Sequence, residues 1–295
     1  MKVLVTGTSG QLGYDVMEEL ARRGHIGIGA DRADTNASFE HVVLDITDKE
    51  KVFEVISNIK PDAIVHCAAW TNVDGAEDPD NLEIVRAVNV DGTRNLAEAC
   101  KKIDAKFVYI STDYVFNGEG ERPWRPDDKN YAPINVYGQS KLDGEKEVAR
   151  ILDKYFIVRI AWVFGRNGKN FIKTMIEVGK THDTVRVVDD QIGTPTYTVD
   201  LARLLVDMIE TDKYGYYHAT NEGGFISWAD FTEEIYKQTG MDVKVERVTT
   251  EEYGLSKAKR PFNSRLDKSK LVENGFKPLP EWKDALSRFI VSSKS

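Results

Sequence analysis

Apolar and polar positions along this chain follow two alternating periods. Residues 2–6 (KVLVT) form a short apolar run ending in glycines, which predicts a strand. Residues 11–23 then put Leu12, Val16 and Leu20 on one helical face. Further strands are predicted at 26–30, 42–44, 63–67 and 106–110, with amphipathic helices at 48–59 and 81–102. Asp48 opens the helix at 48–59, where a carboxylate satisfies open backbone N–H groups. A helix at 139–153 and a strand at 156–163 follow. Strands that alternate with helices and are apolar almost throughout predict a parallel sheet covered on both faces. The fold class is therefore α/β, a doubly wound parallel sheet of Rossmann type.

The second half has a different pattern. Helices are predicted at 170–180, 199–211 and 227–239, short strands at 186–188, 215–219 and 243–248, and a polar, loop-rich tail holds RPFNSRLD. There is no internal repeat, low-complexity tract or clean linker. We expect a first domain over residues 1–165, to which later segments return. Residues 166–295 should form mainly a smaller, interleaved α/β lobe for substrate.

Composition narrows the class of partner. The chain has 295 residues, 41% hydrophobic and 30% charged, as a soluble globular protein does. Its net charge of -8 leaves no basic face for phosphate backbones, so nucleic acid is not an expected partner. Cys67 and Cys100 lie among apolar neighbours and read as buried, reduced thiols. Five scattered histidines and two cysteines fit no metal-ligand spacing, and His66 reads as a satisfied core group. The apolar run in MKVLVTG is too short for a signal peptide, and nothing approaches the roughly 18 apolar residues of a membrane span. A cytoplasmic protein without a membrane partner is expected.

Two segments carry candidate chemistry. Gly7-Thr8-Ser9-Gly10-Gln11-Leu12-Gly13 follows the first strand and opens the first helix. Such a turn aims backbone N–H groups and a helix N-terminus at a pyrophosphate. Gly7 permits the tight turn, Gly10 the approach of the ligand, and Gly13 close helix–strand packing. Asp31 closes the second strand, where an acid meets the adenine-side ribose hydroxyls; a surface turn is its alternative role. Asp45 and Ile46 end the third strand, at the adenine edge or in a turn. In the second segment, Tyr137 and Lys141 are four apart and share a helical face. A neighbouring ammonium favours the phenolate, which would bring the phenol toward neutrality for proton transfer. Thr112 lies just past the carboxyl end of a strand, where ligands bind in such sheets, and its hydroxyl can share a substrate carbonyl with Tyr137.

With AAWTNVDGAE (68–77), STDYVFNG (111–118), NVYGQSKLDGE (135–145), RIAWVFG (159–165), DDQIGTPTYT (189–198) and RPFNSRLD (260–267), the chain resembles the extended short-chain dehydrogenase/reductase superfamily. Within it, the resemblance is to the dTDP-4-dehydrorhamnose reductases, nearly end to end. The resemblance implies NADH or NADPH as cofactor and a 4-keto-6-deoxyhexose nucleotide, reduced at C4, as substrate. Tyr137 would donate the proton. Lys141 would lower the phenol and hold the nicotinamide ribose, and Thr112 would orient the carbonyl. Gly10, Gln11 and Leu12 would lie at the pyrophosphate, and Ala68, Ala69 and Trp70 would line the cofactor channel. Asp113, Tyr114 and Trp162 match substrate-contacting positions, the Trp by stacking on sugar. Arg260 would meet the substrate diphosphate. Asp31 favours NADH while Arg32 can pair with a 2′-phosphate, so both cofactors should work, with a modest preference for NADH.

Three further expectations follow, the first and last from the resemblance and the second from the helical pattern. Tyr114 stands where nucleotide-sugar dehydratases carry a carboxylate, so elimination of water is not expected. Asn89, inside a long helical pattern, should be a structural polar anchor. Certain relatives form magnesium-bridged dimers through an acid near the C-terminus; the tail SRFIVSSKS lacks it, so we expect no metal and either a monomer or a homodimer. Two alternatives stay open. One is another 4-keto nucleotide-sugar reductase or an epimerase. The other is a non-catalytic regulatory relative such as the regulatory subunit of methionine adenosyltransferase.

Overall fold

Val3 and Val5 leave the first strand on one side and Leu4 on the other, and all three are fully buried. Both faces of the sheet are thus covered, as the unbroken apolar runs require. A computed structural model describes residues 1–33 and 39–293. Its first part comprises β1 (Lys2–Thr6), α1 (Gln11–Arg22), β2 (Ile26–Asp31), β3 (His41–Val43), α2 (Lys49–Ile59), β4 (Ala63–His66), α3 (Val73–Ala76), α4 (Leu82–Arg86), α5 (Thr93–Lys102), β5 (Lys106–Thr112), α6 (Val136–Ile151) and β6 (Tyr155–Ile160). Then come β7 (Val163–Phe164), α7 (Phe171–Gly179), β8 (Thr184–Val188), β9 (Ile192–Gly193), β10 (Thr196–Tyr197), α8 (Thr198–Ile209), β11 (Gly215–His218), β12 (Asn221–Glu222) and β13 (Ile226–Ser227). The chain ends with α9 (Trp228–Thr239), β14 (Lys244–Val248), α10 (Thr250–Tyr253), α11 (Ser269–Glu273), β15 (Leu279–Glu281) and α12 (Trp282–Ser292).

Seven parallel strands make the main sheet, in the order β3-β2-β1-β4-β5-β6-β11. The order turns back at β1, so the crevice at the carboxyl ends of β1 and β4 is the topological switch point where ligands bind. One face packs Val3, Val5 and Val158 against Val16 and Leu20 of α1 and Leu205 of α8. The other packs Leu4, Ile28 and Phe107 against Val52 of α2, Leu96 of α5 and Val148 of α6. A separate core of Phe164, Ile172, Phe231, Trp282 and Phe289 builds the second lobe.

Several elements differ from the sequence reading, four of them for a clear local reason. The helix expected at 81–102 contains a π-helical turn, Ala87–Gly92, centred on buried Asn89. The helix expected from 139 begins at Val136, because the Asn135 side chain accepts from Gly138 N at 2.7 Å and caps it. The strand expected over 156–163 breaks at Trp162, which has φ +50. The loop-rich tail contains α12, whose Trp282, Ala285, Leu286, Phe289 and Ile290 are buried. Of the tail SRFIVSSKS, Lys294 and Ser295 lie outside the described residues.

Candidate active site

A cleft of about 700 Å³ runs along the carboxyl ends of the central strands. Every predicted site residue lines it except Arg260. At one end stands the glycine turn. Gly7 has φ +74, and a Cβ there would sit 2.7 Å from Ala68 N. On Gly13 a Cβ would lie 2.3 Å from Gly7 O, so helix and turn meet backbone to backbone. Gly10, the N-cap of α1, makes no side-chain cap bond. The first N–H groups of α1 are thus left for a ligand, and the cradle fits a dinucleotide pyrophosphate. At the end of β2, Asp31 is already engaged: its Oδ2 accepts from Ser9 N at 3.0 Å and Ser9 Oγ at 2.6 Å. Its Oδ1 accepts from Arg32 N at 2.8 Å. Asp45 accepts from Thr47 N at 2.9 Å, and buried Ile46 faces the same end of the cleft.

The middle of the cleft is fixed by an amide clamp. Asn89 Oδ1 accepts from Trp70 N at 2.8 Å, while its Nδ2 donates to Trp70 O at 3.2 Å and to Ser140 Oγ at 2.9 Å. The loop after β4, carrying Ala68, Ala69 and Trp70, is thereby tied to the helix that carries Tyr137 and Lys141. That is the anchoring role expected of Asn89. His66 is likewise satisfied, between Thr6 Oγ1 at 2.8 Å and Thr93 Oγ1 at 3.1 Å. Burial, with the Lys141 ammonium second, pushes its pKa down to about 3, so it stays neutral. Cys67 departs from the expectation of full burial: it is half-buried and lines the cleft. Burial raises its thiol to about 12, which keeps it protonated.

The reacting end gathers Thr112, Asp113, Tyr114, Tyr137 and Lys141. Thr112 Oγ1 donates to Asp113 Oδ1 at 3.0 Å, and its hydrogen bonding with Tyr137 favours the phenolate. Burial outweighs that bond. Together with the Asp113 carboxylate and Tyr114, burial holds the Tyr137 phenol above its ordinary pKa. The expectation that Lys141 lowers this phenol is therefore corrected. The Lys141 nitrogen lies 4.1 Å from the centroid of the Tyr109 ring, and the Glu145 carboxylate is the charged group that favours its ammonium form. Burial brings Lys141 itself down to about 7. Asp113 is raised to about 6 by burial, against hydrogen bonds from Ser264 and Thr112, and its Oδ2 is buried without a partner. Tyr114 packs edge-on to Tyr137 at 5.7 Å and is pushed up to about 12, chiefly by burial, so it cannot act as a base near neutrality.

Two substrate candidates are placed differently from expectation. Arg260 stands behind Tyr114, donating to its hydroxyl at 3.4 Å and to Asp74 Oδ2 at 2.6 Å. Trp162 has one ring face covered by Trp228 at 3.7 Å, so sugar stacking on that face is blocked. The sequence reading missed Trp228, Gly168 and Lys169, which also line the cleft from the second lobe. It also missed Glu145, which accepts from Ser111 Oγ and from Arg159 Nε and Nη2, both at 2.8 Å. Glu145 was legible one helical turn after Lys141; Arg159 and Trp228 carried no local signal.

One cleft joins a pyrophosphate cradle to a buried phenol, and a nicotinamide dinucleotide is a ligand that reaches from one to the other. The class so defined is the short-chain dehydrogenase/reductases. The family model described as RmlD substrate binding domain matches residues 1–295, and the chain belongs to that family. It is 42% identical over 290 residues to the dTDP-4-dehydrorhamnose reductase of Streptomyces griseus, covering 96% of this chain and 91% of that one. Among solved structures, a dTDP-4-dehydrorhamnose reductase from Clostridium acetobutylicum superimposes with a TM-score of 0.93 at 41% identity, covering all of both chains. The Bacillus anthracis dTDP-4-dehydrorhamnose reductase, in complex with NADP, gives 0.91 at 41% identity over 99% of each.

Proposed function

We propose that this chain reduces the C4 keto group of dTDP-4-dehydrorhamnose with NADH or NADPH, forming dTDP-rhamnose. The observation that carries the reading is the Tyr137 phenol, kept protonated beside the Thr112 hydroxyl at the end of β5. Bound in the cleft, NADH or NADPH supplies the hydride. Thr112 would hold the carbonyl oxygen once its hydroxyl turns from Asp113 Oδ1 to the substrate, and Tyr137 would donate its proton to the oxyanion that forms there. Lys141, which lines the same cleft, would bond the nicotinamide ribose and, when protonated, add positive charge to the site. Asp113 contributes its unpartnered Oδ2 to a sugar hydroxyl. Arg260 reaches substrate only through Tyr114 or after leaving Asp74. Dehydration is excluded from the reading, because Tyr114 stands where a carboxylate base is needed and burial pushes its phenol up to about 12.

A nucleotide sugar is the substrate partner, and we place the enzyme in the cytoplasm as a monomer or homodimer. Among the described residues, no helix is long and apolar enough to cross a membrane. The test is a panel of 4-keto nucleotide sugars assayed for NADH and NADPH consumption with product identification. Turnover confined to dTDP-4-dehydrorhamnose supports the reading. Turnover of another 4-keto sugar in its place, or of none, overturns it.

A further inference from the structure

The wall of the cleft that faces the glycine turn comes from the second lobe. It is the turn Gly165-Arg166-Asn167-Gly168-Lys169-Asn170, between β7 and α7. Several bonds hold this turn rigid. Asn170 Oδ1 accepts from Lys173 N at 3.0 Å and caps α7, while its Nδ2 donates to Gly165 O at 2.8 Å and to Gln11 Oε1 at 3.1 Å. Lys173 Nζ donates to Gly168 O at 2.9 Å. Gly165 has no room for a side chain, since a Cβ would lie 2.2 Å from Thr198 Oγ1. A Cβ on Gly168 would sit 3.7 Å from Gln11 Cγ. The turn is thus docked on the first turn of α1.

Lys169 is exposed at its tip and lines the cleft beside Gly168. Among the described residues, three basic side chains line the cleft: Arg32 just after β2, Lys141 on α6, and Lys169, whose neighbours Gly168 and Asn170 both meet Gln11 at the end of the glycine turn. The glycine turn itself offers N–H dipoles but no charge, and a dinucleotide pyrophosphate carries two negative charges. We propose that Lys169 binds the cofactor pyrophosphate, so that the second lobe supplies the counter-charge and the bound cofactor ties the two lobes together. Lys serves here as a point charge on phosphate. This rests on the dinucleotide reading given above.

The test compares the full chain with Lys169→Ala and Lys169→Arg, measuring Kd for NADH and NADPH by nicotinamide fluorescence and for adenosine by calorimetry. Lys169→Ala should weaken NADH and NADPH by the same factor, roughly three- to tenfold at low salt. Lys169→Arg should restore both. The deficit should narrow as salt rises, because an exposed charge is screened. Adenosine, which lacks phosphate, should bind all three proteins alike. The proposal is overturned if Lys169→Ala binds both cofactors as the parent does, or loses adenosine by the same factor. A parent chain that binds adenosine but neither dinucleotide would overturn the dinucleotide reading itself.

Discussion

At Tyr137, burial and the neighbouring Asp113 act in one direction: both keep the proton on the phenol. The donor is therefore loaded near neutrality, as a reductase requires. Tyr137→Phe keeps the ring and removes the proton. Steady-state assays should show turnover falling by about 10²–10⁴-fold, with cofactor affinity retained. Lys141 gives a second prediction. Its folded value of about 7 lies below the 10.5 of an unburied lysine. Between those values the unfolded chain holds a proton that the folded chain does not, so this lysine's contribution to stability rises as pH climbs from about 7 to about 10. Lys141→Met should therefore melt higher than the parent at pH 7, and the gap should shrink toward pH 10. Thermal melts across that range decide it; a constant gap would contradict the assigned burial cost. The Tyr–Lys spacing was legible in the sequence. The full charge setting was not: Glu145 stands one helical turn after Lys141 on α6, but Tyr109 reaches Lys141 only through the packing of β5 against α6.

Among the elements, the strand–turn–helix of β1 and α1 depends on backbone contact. Gly13→Ala would drive a Cβ to 2.3 Å from Gly7 O. We expect a loss of about 1–3 kcal/mol in stability by denaturant titration, together with weakened binding of both cofactors. The sheet was readable because its strands are short apolar runs between clear helical periods. The start of α6 was missed because Asn135 caps it from a stretch that reads as loop. The break at Trp162 was invisible because its backbone turns left-handed to stack the indole on Trp228, which lies in the other lobe. By contrast, α12 was overlooked with its signal present: Trp282, Ala285, Leu286, Phe289 and Ile290 recur at helical spacing.

Over the whole molecule, the second half of the chain completes the first. β11 adds the seventh strand by pairing with β6, and α8 covers α1. Arg23, the C-cap of α1, donates to Asp207 on α8 at 2.6 Å. Residues 1–165 alone would leave Val16 and Leu20 facing water where Leu205 now covers them. We expect that fragment to lack a cooperative thermal transition by near-ultraviolet circular dichroism; a sharp melt near that of the full chain would contradict the interleaved arrangement. The same interleaving lets Gly168, Lys169 and Trp228 of the later segments line a cleft built on the first sheet.

The central claim is that a hydride reaches C4 of the sugar while Tyr137 protonates the oxygen. The most direct measurement uses NADPH carrying deuterium at both positions of nicotinamide C4, with dTDP-4-dehydrorhamnose as acceptor and the product read by NMR. The product should be dTDP-rhamnose with deuterium at C4 of the sugar and nowhere else. Absence of label, or label at another carbon, would contradict it.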